Sequence, residues 1–141
     1  MEEYFRMAIK EAKKAFKKNE IPVGAVLVKN GVVIAKSHNN RQKEHNVLGH
    51  AEINCIIKAA AKIKDWRLDD CQMYVTLEPC EMCKKIIEES RINEVYFMVN
   101  KSQPPQKEIG TNLKSVNVKI NERLSIEYNK MFKNFFDKLR N

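Results

Sequence analysis

Two short stretches carry the residue types that do chemistry: His50-Ala51-Glu52 and Pro79-Cys80-Glu81-Met82-Cys83. Imidazole nitrogen and thiolate sulfur are ligands that zinc prefers, and a catalytic zinc takes three of them while a fourth position stays open for water. His50, Cys80 and Cys83 make up that set, for one zinc ion per subunit. The cysteines stand three apart, which lets both face one side of a helix start, where the N-terminal dipole favours thiolate over thiol. Glu52 separates a catalytic site from a structural one. A fourth protein ligand would close the metal, whereas a carboxylate beside an open position can move protons for a bound water. A lone C-x-x-C fits redox chemistry or structural zinc as well. The H-x-E upstream and the proline before Cys80 weigh for catalysis over a closed Cys/His site, and Glu52 weighs against an RNA-binding module with purely structural zinc.

The elements that must position these residues follow from periodicity. Phe5, Ala8, Ile9, Ala12, Ala15 and Phe16 recur at helical spacing among lysines, which predicts a helix over 2–18 with a solvated Lys-rich face, stopped by Asn19-Glu20 and Pro22. Two apolar runs, 23–28 and 32–35, flank Asn30-Gly31 and predict an antiparallel hairpin. Residues 37–49 are polar and read as a loop. A second helix runs from His50 to Ile63, so that His50 marks its start. Met73–Leu77 reads as a strand, Pro79 as the first turn of a third helix, and Val95–Val99 as a fourth strand. Residues 101–115 read as a loop, 116–120 as an edge strand, and Tyr128 to Leu139 as a final amphipathic helix with an aromatic stripe. Strands alternating with helices imply crossovers and an α/β fold whose sheet is partly parallel and covered on both faces.

Length and charge bound the rest. The chain has 141 residues, room for one domain over 1–141 and too short for a barrel of eight βα units or a repeat array. Apolar residues make up 43%, too many for a disordered chain, and no run is long enough to span a membrane. The N-terminus has no apolar signal region, so a cytoplasmic protein with reduced thiols is expected. Cys55 and Cys71 then read as buried thiols, His38 and His45 as surface or loop histidines, and Trp66 as a cap on a core edge. Lys and Arg total 26 against 18 Asp and Glu, a net charge of +8. That balance points to a polyanionic partner and away from no chemistry in particular.

H-x-E followed by P-C-x-x-C is the signature of the zinc nucleobase deaminases. Together with Glu20-Ile-Pro-Val-Gly-Ala-Val-Leu-Val28, His38-Asn39-Asn40-Arg41, Val75-Thr-Leu-Glu-Pro-Cys80 and Ser90-Arg-Ile92, it makes the chain resemble the bacterial tRNA-specific adenosine deaminases, closely over about residues 4–99. The resemblance implies a three-layer α/β/α sandwich around a five-stranded mixed sheet, cytidine deaminase-like. It implies hydrolytic conversion of the wobble adenosine of a tRNA anticodon stem-loop to inosine, by a homodimer. His50, Cys80 and Cys83 match the zinc ligands, Glu52 the proton shuttle, and Asn39 the residue that contacts the target base, although a turn residue after the hairpin is its plainer reading. Phe135 and Phe136 match aromatics near the RNA loop or, equally, a packed stripe. Lys85-Ile86 stand where the family has Gly-Ala, and Met98-Val-Asn-Lys101 where it has Gly-Ala-x-Asp. A deaminase of a free base or nucleotide (guanine, cytosine or deoxycytidylate) would share every zinc residue. Salt distinguishes the two: binding of a polyanion weakens steeply as salt rises, read as the slope of log Kd against log salt, whereas a flat response indicates a small uncharged substrate.

Overall fold

The computed structural model describes residues 1–99, 114–117 and 122–140. Helix α1 (Glu2–Lys17) buries Phe5, Ala8, Ile9, Ala12 and Ala15 along one stripe and leaves Lys10, Lys13, Lys14 and Lys17 in water. Strands β1 (Gly24–Lys29) and β2 (Val32–His38) form the expected antiparallel hairpin. Asn30 and Gly31 have φ of 51° and 75°, the pair of positive values that a type I′ turn requires. The register shifts between Leu27 and Val28, where Ala35 and Val33 are their partners, so Ile34 is an extra residue in β2.

After the hairpin the structure departs from the polar loop expected over 37–49. Strand β2 continues to His38, and one helical turn, α2 (Arg41–Glu44), follows. Its cause lies outside the segment. Glu20, expected to be a polar helix stop, is 2% exposed, and its two carboxylate oxygens accept the backbone N–H groups of Gln42 and Lys43 at 3.0 and 2.9 Å.

Helix α3 (Ala51–Ile63) starts on His50 as its N-cap, and β3 (Cys71–Leu77) follows, with Cys71 as its first residue. Helix α4 (Glu81–Glu89) has Cys80 at its N-cap position, so Pro79 precedes that position and does not open the first turn. Cys80 is extended there, with φ −73° and ψ 170°. Then come β4 (Glu94–Val99), β5 (Lys114–Asn117) and α5 (Glu122–Arg140). The edge strand thus runs over 114–117; 118–120 and nearly all of the loop expected at 101–115 lie outside the described residues.

The sheet has five strands in the order β2-β1-β3-β4-β5. The β1–β2 and β1–β3 pairs are antiparallel, and β3–β4 and β4–β5 are parallel, so the sheet is mixed. Strand periodicity sorts its two faces. Ala25, Leu27, Met73, Val75, Val95 and Phe97 pack with Ala51, Cys55 and Ala59 of α3 and Ile87 of α4. Val26, Val28, Tyr74 and Met98 pack with Phe5, Ala8 and Ile9 of α1 and Leu124 and Tyr128 of α5. The result is the three-layer α/β/α sandwich.

Tyr128 ties the last helix to the segment entering β1. Its buried hydroxyl donates to the Pro22 carbonyl at 2.7 Å, across 106 residues of sequence. Tyr128→Phe keeps the ring and strands that carbonyl, which should cost about 1–3 kcal/mol in denaturant unfolding. An unchanged midpoint would mean that the carbonyl finds another donor.

Candidate active site

Helices α3 and α4 bring their first residues together. His50 Nδ1 lies 3.8 Å from Cys80 Sγ and 3.5 Å from Cys83 Sγ, and the ligand atoms of all three residues fall within 4.8 Å of one another. A tetrahedral ion with bonds of about 2.3 Å to sulfur and about 2.0 Å to nitrogen holds such atoms about 3.6 Å apart. The donor set and its spacing therefore fit a zinc-type metal ion. Neither His50 nor Cys80 makes a side-chain cap bond to its own helix. Their side chains are turned to each other.

The electrostatics point the same way. The Cys83 thiol is pushed far above its ordinary pKa by its hydrogen bond with Cys80, by burial and by the charge of Glu52. Such crowding of potential anions in a buried place is relieved by a dication, which deprotonates a coordinating thiol outright. Glu52 sits in the first turn of α3, 4% exposed. A cavity of about 160 Å³ opens onto His50, Glu52 and Cys80, with Asn39, Phe132 and Phe136 among its walls. That is below the roughly 300 Å³ at which drug-sized ligand pockets begin, and suits one flat ring system.

Asn39 is buried, and its Oδ1 accepts the Ala51 N–H at 2.7 Å. It thus caps α3 in place of His50. With Oδ1 engaged by the Ala51 N–H, the Asn39 amide is held at the wall of the cavity. Its backbone N–H donates to Val23, so the turn reading and the cavity-facing reading both describe it. Phe135 is buried beside Phe16, with ring centroids 6.4 Å apart, and Phe136 faces the cavity, while both border the groove next to it. A larger groove of about 850 Å³ shares Ile21, Asn39 and Phe136 with the cavity and carries Lys18, Arg41, Lys43 and His45.

The remaining candidates fall elsewhere. Cys55 and Cys71 are buried thiols, as expected; burial pushes both upward in pKa. His45 is exposed, but His38 is not a plain surface histidine. Its Nδ1 lies 3.0 Å from the buried Glu11 carboxylate. Burial pushes Glu11 up, but the hydrogen bonds from His38 and Lys14 outweigh it and hold the carboxyl below its ordinary pKa. Trp66 caps no core edge. It is 58% exposed, with the Arg67 and Arg91 guanidiniums 5.6 and 5.7 Å from its ring centroid, a cation–π arrangement that covers the ring without burying it.

A helix-borne His/Cys/Cys set with a buried carboxylate at its rim, on an α/β/α sandwich, defines the class of metal-dependent hydrolytic deaminases. The model of the MafB19-like deaminase family matches residues 1–140, and the chain belongs to that family. Among its relatives, the tRNA-specific adenosine deaminase of Bacillus subtilis (strain 168) is 49% identical over 94 residues, 67% of this chain and 58% of that protein. The match therefore spans less than two thirds of that relative's length. The tRNA-specific adenosine deaminase of Aquifex aeolicus (strain VF5) is 37% identical over 99% of this chain and 96% of its own. A solved tRNA:A34 deaminase, from work on A-to-I editing at the wobble position of transfer RNA, superposes with a TM-score of 0.71 at 33% identity, covering 81% of this chain and 97% of that one. Guanine deaminase from Bacillus subtilis gives 0.67 at 28% identity, covering 94% and 93%.

The first departure from the family pattern is accommodated, and the second is described only in part. Lys85 is exposed, so its bulk meets solvent, and Ile86 packs partly buried on the α3/α4 core. Met98 is buried in the opposite layer, while Asn100 and Lys101 lie outside the described residues. Sequence reasoning passed over their neighbour. Lys84 is buried, and its Nζ donates to the buried Glu78 carboxylate at 3.1 Å, bracing the loop before Cys80 against α4. Nothing in the pattern marks a lysine in a run of charged residues as the inward one. Lys84→Met removes the cation beside a buried carboxylate and should cost about 3–5 kcal/mol in chemical denaturation, most of it recovered in the Lys84→Met/Glu78→Gln double variant. A loss under about 1 kcal/mol would mean that water already screens the pair.

Proposed function

We propose that this chain deaminates adenosine to inosine at the wobble position of a tRNA anticodon stem-loop, using zinc held by His50, Cys80 and Cys83. The observation that carries the reading is the meeting of those three ligand atoms beside the buried Glu52 carboxylate, in a cavity sized for one base. Zinc bound there would supply a polarised water with a pKa near 7. Glu52 takes a proton from the attacking water and delivers it to N1 of the purine as the water oxygen adds to C6. It then passes a second proton to the amino group, the C6–N bond breaks, and ammonia leaves. One water is consumed and the ring carbonyl of inosine remains. Asn39 Nδ2 donates a hydrogen bond to an acceptor on the base, and Phe132 and Phe136 close the apolar side of the cavity against water.

The substrate assignment rests on the relatives, on the +8 charge and on the groove carrying Lys18, Arg41 and Lys43, where phosphates flanking a splayed base would lie. A tRNA enzyme of this kind works in the cytoplasm; no helix among the described residues is long and apolar enough to cross a membrane. Assembly as a homodimer is part of the same reading, supported by the exposed apolar side chains of Val47, Leu48 and Ile57, and sedimentation tests it. One observation favours a second reading, a free-base deaminase: the guanine deaminase of Bacillus subtilis covers more of this chain than the tRNA:A34 deaminase structure does.

The test is sequencing of an unmodified tRNA whose anticodon begins with adenosine, after incubation with the zinc-loaded protein. Inosine is expected at the wobble position alone. Glu52→Ala should lower turnover by about 10²–10⁴ while the zinc content, read by elemental analysis, stays at one per chain. Ammonia released from guanine with tRNA untouched would replace the RNA assignment with the second reading.

A further inference from the structure

The segment between β2 and α3 carries Asn39 at one end and His50 at the other, and a residue distant in sequence holds it. Glu20, in the turn between α1 and β1, spends both carboxylate oxygens on the Gln42 and Lys43 N–H groups. Charge-assisted bonds to backbone donors are among the stronger hydrogen bonds, and the Glu20 carboxylate that accepts them is buried. The α2 turn so fixed is wedged against the far end of the segment. The Asn40 N–H donates to the Gly49 carbonyl at 3.0 Å, and a Cβ on Gly49 would stand 2.6 Å from the Arg41 backbone. Only a residue without a side chain fits there. Asn54 closes the segment from α3, its Nδ2 donating to the His38 carbonyl at 3.1 Å and to Asn40 Oδ1 at 2.8 Å.

We propose that Glu20 is a positioning residue for substrate recognition: through α2 it fixes Asn39, so that Oδ1 stays on the Ala51 N–H and Nδ2 stays aimed into the cavity. The inference deepens the deaminase reading and rests on it for the nature of the ligand. His50 does not depend on Glu20 in the same way, because it is built into the start of α3, where its carbonyl accepts the Asn54 N–H at 2.9 Å. Loss of the Glu20 clamp therefore separates base recognition from metal binding. A side chain that merely stabilised the fold would not make that separation.

Glu20→Gln keeps the shape and one acceptor, and Glu20→Ala removes both. Phe5→Leu, in the core of the α1 layer, serves as a control that lowers stability without touching the segment. On the wobble-adenosine tRNA, Glu20→Gln should raise KM about tenfold, the size of one lost charge-assisted hydrogen bond, with kcat within about twofold of the parent. The visible d–d bands of the Co²⁺-loaded variant should match those of the parent protein. Amide exchange should quicken at Gln42, Lys43 and, as the readout of Asn39, at Ala51, while Phe5→Leu leaves Ala51 unchanged. If the parent does not deaminate this tRNA, the functional reading fails, and Ala51 exchange still decides the role of Glu20. Unchanged KM with unchanged Ala51 exchange overturns the proposal. So does a loss of cobalt bands in step with activity, which would make Glu20 a support of the metal site.

Discussion

Two helices begin at one place, and each begins on a residue that cannot cap it. His50 and Cys80 occupy the N-cap positions of α3 and α4, yet their side chains face each other across the ligand set. An N-cap normally meets the unpaired N–H groups of the first turn. Here those side chains are withdrawn from that task, so other groups must take it up. At α3 the substitute is Asn39, whose Oδ1 reaches the first helical N–H from outside the helix. The candidate ligand set and the start of both helices are thus one arrangement.

That arrangement explains why the walls of the cavity come from so many parts of the chain. Asn39 must stay within reach of α3, which requires the segment after β2 to be held, and Glu20 with Asn54 hold it. The opposite wall is carried by α5, which Tyr128 fastens to Pro22, one residue from Ile21 and Val23 in the same cavity. The turn between α1 and β1 therefore touches both walls: Glu20 reaches to α2 and Pro22 receives α5. The six residues between α1 and β1, 18–23, thus connect the two walls of the pocket.

Sequence made local chemistry legible and left its long-range partners hidden. The helix start at His50, the Asn30-Gly31 turn and the apolar run of β1 each follow from neighbours a few residues apart and stand where they were expected, while α4 begins after Pro79 and not at it. The α2 turn could not be read, because its four residues, Arg41 to Glu44, have no apolar face; a carboxylate 22 residues away makes them helical. Glu20 looked like a polar stop for the same reason. Lys84 is identical in type to Lys85, and only the position of Glu78 turns one inward. Trp66 shows the converse: an aromatic side chain signals burial until two guanidiniums are found on its ring.

The candidate ligand set and Glu52 leave the substrate open, since any amino-bearing ring that reaches them meets the same carboxylate. Discrimination has to come from what surrounds the ring. With Oδ1 held on the Ala51 N–H, a bond from Asn39 Nδ2 would select for an acceptor on the edge of the base. The cavity itself takes little more than a ring system, so a sugar and its flanking phosphates must stay outside, over the groove that Lys18, Arg41 and Lys43 border. A free base leaves that groove without work. A base still attached to a polyanion fills it, and for such a substrate the small cavity becomes selective as well, because only a base that can leave its stack will enter.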